Sequence, residues 1–218
     1  TTGANNVAVG ANAGDALTTG HENTYIGMNA GGTATTAGYN ICIGHGAGNG
    51  GVTTGDHNIV MGHAAGDALT SASNNVIIGQ SAGTTLTTGA NNVAIGAEAL
   101  YYTTTASGNS SFGHGALKAN TTGPNNTGIG YLSLDANTTG SSNTAVGVNS
   151  MTTNTTASSN TAVGNYALGL NTTGASNVAL GALALKANTT ASNNTAVGAS
   201  ALILNTTGSN NTAVGSNS

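Results

Sequence analysis

Histidines are the side chains of this 218-residue chain best suited to chemistry, because imidazole can bind a metal ion or move a proton. His45, His63 and His114 each follow a glycine directly. If the interval from His45 to His63 is one turn of a repeat, the two rings lie about 5 Å apart. Other copies of this position hold residues as different as Ala11 and Gln80. We therefore expect a variable outward position and no metal site.

The remaining reactive side chains form no recognisable catalytic set. The carboxylates are scattered along the chain, at Asp15, Glu22, Asp56, Asp67, Glu98 and Asp135. No two have the spacing of a general acid and base pair, and no serine or cysteine is singled out as a nucleophile beside a histidine. His21 and His57, with their acidic neighbours, are expected in solvated turns, and the single Cys42 as a packed free thiol. We expect no enzymatic activity and no cofactor.

The composition excludes further classes of function. The chain has 37 Thr, 36 Ala, 35 Gly and 31 Asn, but only two Lys, no Arg and a net charge of −4. Such a chain cannot neutralise a run of phosphates, so we expect no nucleic-acid partner, and the same shortage argues against a polybasic membrane anchor. No apolar run approaches the roughly 20 residues of a membrane-spanning helix, so we expect no membrane insertion.

A 17-residue repeat, lengthened by one residue between Gly44 and Gly62, fills the chain. Its anchors are glycines, which recur at Gly10, Gly27, Gly44, Gly62, Gly79, Gly96, Gly113, Gly130, Gly147, Gly164, Gly181, Gly198 and Gly215. An asparagine stands four positions before every anchor, at Asn6, Asn23, Asn40, Asn58, Asn75, Asn92, Asn109, Asn126, Asn143, Asn160, Asn177, Asn194 and Asn211. Between the two lies a short alternating segment, such as Thr144-Ala145-Val146, and each unit later carries a Thr-Thr pair.

This period predicts an all-β fold: a single repeat domain, residues 1–218, forming a parallel β-solenoid of about twelve 17-residue coils. Helical repeats need roughly 30 or more residues, whereas short strands joined by tight turns fit the shorter unit. We expect the asparagines to form a corner ladder, because Asn tolerates left-handed backbone and can bond its stacked equivalents. Alternation along each strand predicts Val146 and its equivalents inside the coil and Ala145 and its equivalents outside.

A second column changes character along the chain. At the fourth position after the anchor, the first five coils have glycine, and the later ones have a large apolar residue: Leu100, Leu117, Leu134, Met151, Leu168, Leu185 and Leu202. In an extended chain, the residue before each of these points the opposite way, so the leucine column and the column of preceding residues cannot both lie in the interior. We predict that the leucine ladder lies outside and forms a subunit contact. This gives a sub-boundary near residue 98, between Gly-type coils 1–97 and Leu-type coils 98–218.

The repeat resembles a known class of fibre sequence. The segments Asn143-Thr-Ala-Val-Gly147 and Asn171-Thr-Thr-Gly174 are similar to the 17-residue NTAVG…AL…NTTG repeats of phage tail fibres, which are related to the head repeats of trimeric autotransporter adhesins. The resemblance covers the whole chain. It implies a homotrimer of left-handed solenoids, acting as the shaft or receptor-contacting region of a virion tail fibre or an extracellular surface filament.

Two expectations about partners follow. Open β edges at the ends of a solenoid favour end-to-end stacking or a longer fibre. Exposed aromatic residues at Tyr101, Tyr102, Tyr131 and Tyr166 are candidate contacts for a cell-surface glycan or protein receptor. The Thr-Thr ladder leaves an alternative function open, because stacked threonines on a charge-free β face can order water and bind ice.

One further pattern recurs with the unit. Asn-x-Thr triplets at Asn120, Asn137, Asn154, Asn171, Asn188 and Asn205 match the acceptor pattern for N-glycosylation. They would carry glycans only in a host that glycosylates secreted proteins.

Overall fold

The computed structural model describes residues 2–50 and 54–218, and throughout this part of the chain the regular structure is all-β. It contains three-residue strands, one per repeat. In chain order they are β1 (Val7–Val9), β2 (Thr24–Ile26), β3 (Ile41–Ile43), β4 (Ile59–Met61), β5 (Val76–Ile78), β6 (Val93–Ile95), β7 (Ser110–Phe112), β8 (Thr127–Ile129), β9 (Thr144–Val146), β10 (Thr161–Val163), β11 (Val178–Leu180), β12 (Thr195–Val197) and β13 (Thr212–Val214).

The chain divides into two compact units, Thr1–Asn109 and Ser110–Ser218. Strands β1 to β6 of the first unit pair in parallel and in chain order, and so do β7 to β13 of the second. Equivalent residues face each other, as Val163 does Leu180, and the one longer step pairs Ile43 with Met61. The predicted fold class, an all-β parallel β-solenoid, is confirmed.

The anchor glycines are required where neighbouring coils approach most closely. Gly147 has a φ of 134°, a left-handed conformation that side chains rarely adopt. A Cβ at this position would also lie 2.6 Å from the carbonyl oxygen of Gly164 on the next coil. Any side chain here would therefore push two coils apart, which explains why the anchor is always glycine.

The predicted asparagine corner ladder is present. The amide oxygen of Asn126 accepts hydrogen bonds from the backbone N–H of Asn143 at 3.0 Å and from its side-chain amide at 3.1 Å. The side-chain amide of Asn143 also donates to the carbonyl oxygen of Ala157 at 2.8 Å. Interior members of the ladder are buried, so each joins two coils where water cannot replace it. Among the described residues, only Asn194 has a buried side-chain nitrogen without a partner.

The orientation of the strands is the reverse of the one predicted from alternation. The central residues of β2 to β12 are buried: Ala145, for example, is 0% exposed, whereas Val146 and Thr144 are half-exposed. In the Leu-type coils the reason lies across the coil, where leucine or methionine side chains already fill the space. A Cβ on Gly128, the central residue of β8, would lie 3.2 Å from Cγ of Leu117. Only small residues fit at the strand centre of such a coil.

The prediction that the leucine ladder forms a subunit contact is wrong. Leu100, Leu117, Leu134, Met151, Leu168 and Leu185 are all fully buried within the single chain, and Leu202 is half-buried. The error arose from assuming extended backbone, in which Ala99 and Leu100 would point to opposite sides. Leu100 instead has a φ of 52°, and both residues are 0% exposed. A left-handed turn thus brings two successive side chains into one interior.

Two kinds of coil interior result. We call the fourth position after the anchor glycine the turn position. Where this residue is glycine, the residue at the centre of the strand is large, as in Tyr25, Val60 and Ile77. Where the turn position is leucine or methionine, the strand centre is Ala, Ser or Gly. The first coil departs from this rule, since Ala8 accompanies Gly14. The change at Leu100 falls inside the first unit, shortly before the second begins at Ser110.

Candidate functional site

The outward side of the strands forms an apolar surface, which we call the strand face. In each unit one column consists of the third residue of each strand: Val9, Ile26, Ile43, Met61, Ile78 and Ile95 in the first unit, and Phe112, Ile129, Val146, Val163, Leu180, Val197 and Val214 in the second. The first residues of the strands form a second column of Thr, Val, Ile and Ser. Neither column contains a charged residue, and no member of either is buried. Val163 and Ile129 are 39% and 40% exposed. In each unit the strand face is thus a candidate contact surface.

A second asparagine ladder lies inside the second unit, and the sequence analysis missed it. The side-chain amide of Asn154 donates to the amide oxygen of Asn137 at 2.9 Å and to the carbonyl oxygen of Ala157 at 3.1 Å. The ladder runs through the acceptor triplets, at Asn120, Asn137, Asn154, Asn171, Asn188 and Asn205. All but Asn205 are 0% exposed, so the folded chain has no room for glycans there. The signal was their recurrence in consecutive Leu-type coils.

A corner column directly after the anchor glycines carries three of the histidines. The rings of His45 and His63 lie side by side on successive coils, with centroids 5.1 Å apart and planes at 30°. His114 stacks on Tyr131 at 5.5 Å. These side chains are exposed, as the sequence predicts for a variable outward position.

The other two histidines lie in a second exposed column. Tyr39 stacks on His57, with ring centroids 4.8 Å apart, and meets His21 edge-on at 5.1 Å. Asp56 is half-buried, and its carboxylate accepts a hydrogen bond from the backbone N–H of Gly38 at 2.7 Å. His21, Glu22 and His57 are exposed, as expected, but Asp56 has a structural role between coils.

The candidate receptor-contact tyrosines do not form one cluster. Tyr101 and Tyr102, in the first unit, touch edge-to-face at 4.7 Å, and Tyr102 is 50% exposed. In the second unit, Tyr131 is covered on one face by His114, and Lys186 lies 5.7 Å from the ring centroid of Tyr166. Tyr101 and Tyr102 are thus the two candidate tyrosines whose rings lie against each other.

The two threonines of each pair have different roles. In most of the described pairs the hydroxyl of the first threonine donates to a carbonyl oxygen of the next coil, as Thr172 does to Thr189 at 3.0 Å. The second threonine is exposed, and in each unit the exposed members form a single file, which we call the threonine file: Thr19, Thr36, Thr54, Thr88 and Thr105 in the first unit, and Thr122, Thr139, Thr156, Thr173, Thr190 and Thr207 in the second. The pairs lie outside the strands, and each of these coils presents one outward threonine.

Cys42 is a packed, unreactive thiol. It occupies the centre of β3 and is buried, and this burial raises the pKa of the thiol from 9.0 to about 12. Burial also raises the pKa of Tyr25 on the neighbouring strand, with a smaller contribution from Cys42. A thiol held protonated in this way is a poor nucleophile and a poor metal ligand.

The described parts of the chain contain no pocket and no group of three or more His, Cys, Asp or Glu side chains placed to hold a metal ion. None of the described residues belongs to a helix that could cross a bilayer. Comparisons with protein-family models, with curated proteins and with solved structures each found no match. The functional assignment therefore depends on the surfaces described above.

Proposed function

We propose that this chain is a non-enzymatic structural and adhesive module of a virion tail fibre or an extracellular surface filament, and that its copies pack side by side through the strand face. The observation that carries the proposal is the continuous outward column of large apolar residues in each unit, with no charged residue in it. A contiguous apolar surface of this kind marks an interaction site. The homotrimeric state is what the resemblance to fibre and adhesin repeats implies.

The energy available from the strand face is of the right size for association. Burying about 60 Å² more of one outward side chain is worth roughly 1.5 kcal/mol at about 25 cal/mol/Å². The seven strands of the second unit would then contribute about 10 kcal/mol, and the first unit a similar amount. Association itself costs on the order of 4–15 kcal/mol. One coil would not hold copies together, whereas a stack of coils does.

A second copy of the chain is the partner that fits this face best. Stacked coils place one outward apolar residue about every 4.8 Å, and another copy presents the same spacing. Because neither column is charged, their contact leaves no ionised group without water. The internal asparagine ladders keep the coils in register, so equivalent outward residues stay aligned along the face of each unit.

Charge placed on the strand face tests this assembly. Light scattering of the native chain should give three times the chain mass of 20.7 kDa. Val163→Glu combined with Leu180→Glu should give particles of one chain with an unchanged circular dichroism spectrum, since both positions already face solvent in the single chain. Thr173→Glu with Thr190→Glu, on the threonine file, is the matched control and should keep the mass of three chains. A native particle with the mass of one chain at micromolar concentration contradicts the proposal.

Adhesion is tested separately from assembly. The Tyr101–Tyr102 pair offers exposed aromatic surface that a sugar ring or an apolar receptor side chain can cover. Tyr101→Ala with Tyr102→Ala should weaken binding to host cells at least tenfold while the particle mass stays unchanged. Unchanged cell binding would remove the pair as the receptor contact.

Ice binding is a second candidate function, favoured by the exposure of the threonine file. Its weakness is that in most of the described pairs the first hydroxyl already bonds to the neighbouring coil, which leaves one outward file where a broad plane needs at least two. Thermal hysteresis in dilute solution, lost on replacing Thr156, Thr173 and Thr190 by Lys, would support this candidate over the fibre.

A further inference from the structure

The corner column after the anchor glycines brings two imidazole rings together on successive coils. The centroids of His45 and His63 are 5.1 Å apart, and both side chains are exposed. The backbone is held on each side of His63, because Gly62 N–H donates to Ile43 at 2.8 Å and Ala64 N–H donates to His45 at 2.9 Å. The ladder therefore fixes the backbone positions from which the two rings project.

This spacing fits a chelate. An ion held by two imidazole nitrogens at about 2.0 Å, with an angle of about 90–110° between them, places the ring centroids about 4.5–5.2 Å apart. The measured separation lies inside that range. Because the coils fix the backbone on both sides of the pair, binding an ion orders only the two side chains.

The surroundings favour a late transition metal. The neighbouring members of the column are Met28 and Gln80, which carry no charge that would compete for or repel the ion. Imidazole suits copper, nickel and zinc, and Cu²⁺ binds most tightly in the usual order of divalent ions. We propose that His45 and His63 form a two-histidine site for one Cu²⁺ ion, with water completing its coordination.

The other aromatic contacts of the chain do not offer the same arrangement. His114 has Tyr131 as its neighbour in the column, and Tyr39 separates His21 from His57. These histidines supply matched controls, since they too are exposed on the same scaffold but have no second imidazole beside them among the described residues.

Substitution of the pair tests the site without threatening the fold, because the same column position is alanine at Ala11 and Ala97. Tag-free full chain is dialysed against Cu²⁺ with glycine as a competing ligand, which suppresses weak sites. The native chain should bind one Cu²⁺ per chain, with an electron paramagnetic resonance spectrum showing two nitrogen ligands. His45→Ala and His63→Ala should each weaken binding at least tenfold and leave one nitrogen ligand or none.

The double variant His21→Ala with His57→Ala is the control and should bind Cu²⁺ as the native chain does. Circular dichroism should be identical for all variants. Native affinity in His45→Ala with His63→Ala, or an equal loss of affinity in the control, overturns the assignment.

Discussion

Ile77 and Gly83 share one space inside a coil: a Cβ on Gly83 would lie 3.3 Å from Cδ1 of Ile77. The next coil solves the same packing problem in the opposite way, with Ala94 at the strand centre and Leu100 at the turn, both 0% exposed. A large side chain at one of the two positions is therefore accompanied by a small one at the other, and the combined volume of the two side chains fills the coil interior. This relation makes the two residue types interdependent along the chain.

A double-mutant cycle at these positions should show strong coupling. Ile77→Ala leaves a cavity beside Gly83 and should cost about 2–4 kcal/mol of unfolding free energy. Gly83→Leu overpacks the native coil and should cost about 1–3 kcal/mol, plus about 1 kcal/mol for leucine at the left-handed φ of 53°. Because the pair converts the coil to the Leu type, the double variant should be at least about 1 kcal/mol more stable than the sum of the single effects predicts.

The measurement is equilibrium unfolding in guanidinium, followed by circular dichroism. The matched control combines Ile77→Ala with Thr88→Leu on the exposed threonine file, where no coupling is expected. Additive effects of Ile77→Ala and Gly83→Leu would contradict the exchange of volume.

The sequence carries the period of the fold more clearly than the direction of its side chains. The 17-residue spacing and the Asn corner predict the parallel register of Val163 with Leu180, because equivalent residues must stack. Alternation alone placed Val146 inside and Ala145 outside, and the opposite is true. A three-residue strand is too short to reveal its buried side, since both faces carry apolar residues.

The interior also depends on backbone that the sequence does not display. Leu100 and Leu117 adopt left-handed turns, which side chains of this size rarely do. Their burial, and the inward asparagines such as Asn154, follow from those turns. Between these two coils the strand centre changes from Ile77 to Ala94 while the turn position changes from Gly83 to Leu100. This opposite change in size indicates that both positions lie in the interior.

Loss of a corner asparagine should be costly. In the native chain the amide oxygen of Asn143 accepts a hydrogen bond from the buried backbone N–H of Asn160 at 3.1 Å, and its side-chain amide donates to the carbonyl oxygen of Ala157. Asn143→Ala removes both bonds. We expect a loss of about 3 kcal/mol, because a buried donor left unpaired costs about 1–3 kcal/mol beyond the lost bonds. Asn165→Ala removes an exposed amide in the next repeat and should change unfolding free energy by less than about 0.5 kcal/mol. Equal effects in denaturant unfolding would contradict a ladder that joins the coils.

Burial of Cys42 should make the fold sensitive to alkali. The folded thiol has a pKa of about 12 against an ordinary value of 9.0, so the folded chain holds the proton more tightly. The stabilisation is complete below pH 9 and is lost as pH rises towards 12, at about 1.4 kcal/mol per pH unit. Between pH 9 and 10, Cys42→Val should lose about 1 kcal/mol less stability than the native chain.

Two measurements check this prediction. Urea unfolding at pH 8, 9 and 10 gives the difference in slope, and valine is a suitable replacement because Val60 occupies the same position in the next coil. A disulfide exchange reagent should label Cys42 only at the rate of unfolding. Parallel pH profiles of the two proteins, or rapid labelling of the folded chain, would show that the thiol is not held in a dry interior.

The two threonines of a pair should differ in their contribution to stability even though they are adjacent. Thr172→Val removes the hydroxyl that bonds to Thr189 on the next coil, and should cost about 0.5–1.5 kcal/mol. Thr173→Val changes only an exposed side chain of the threonine file, and should alter unfolding free energy by less than about 0.5 kcal/mol. Since valine has nearly the shape of threonine, both variants keep the packing and isolate the hydroxyl. A larger loss in Thr173→Val, measured by guanidinium unfolding, would mean that the outer threonine and not the inner one ties the coils together.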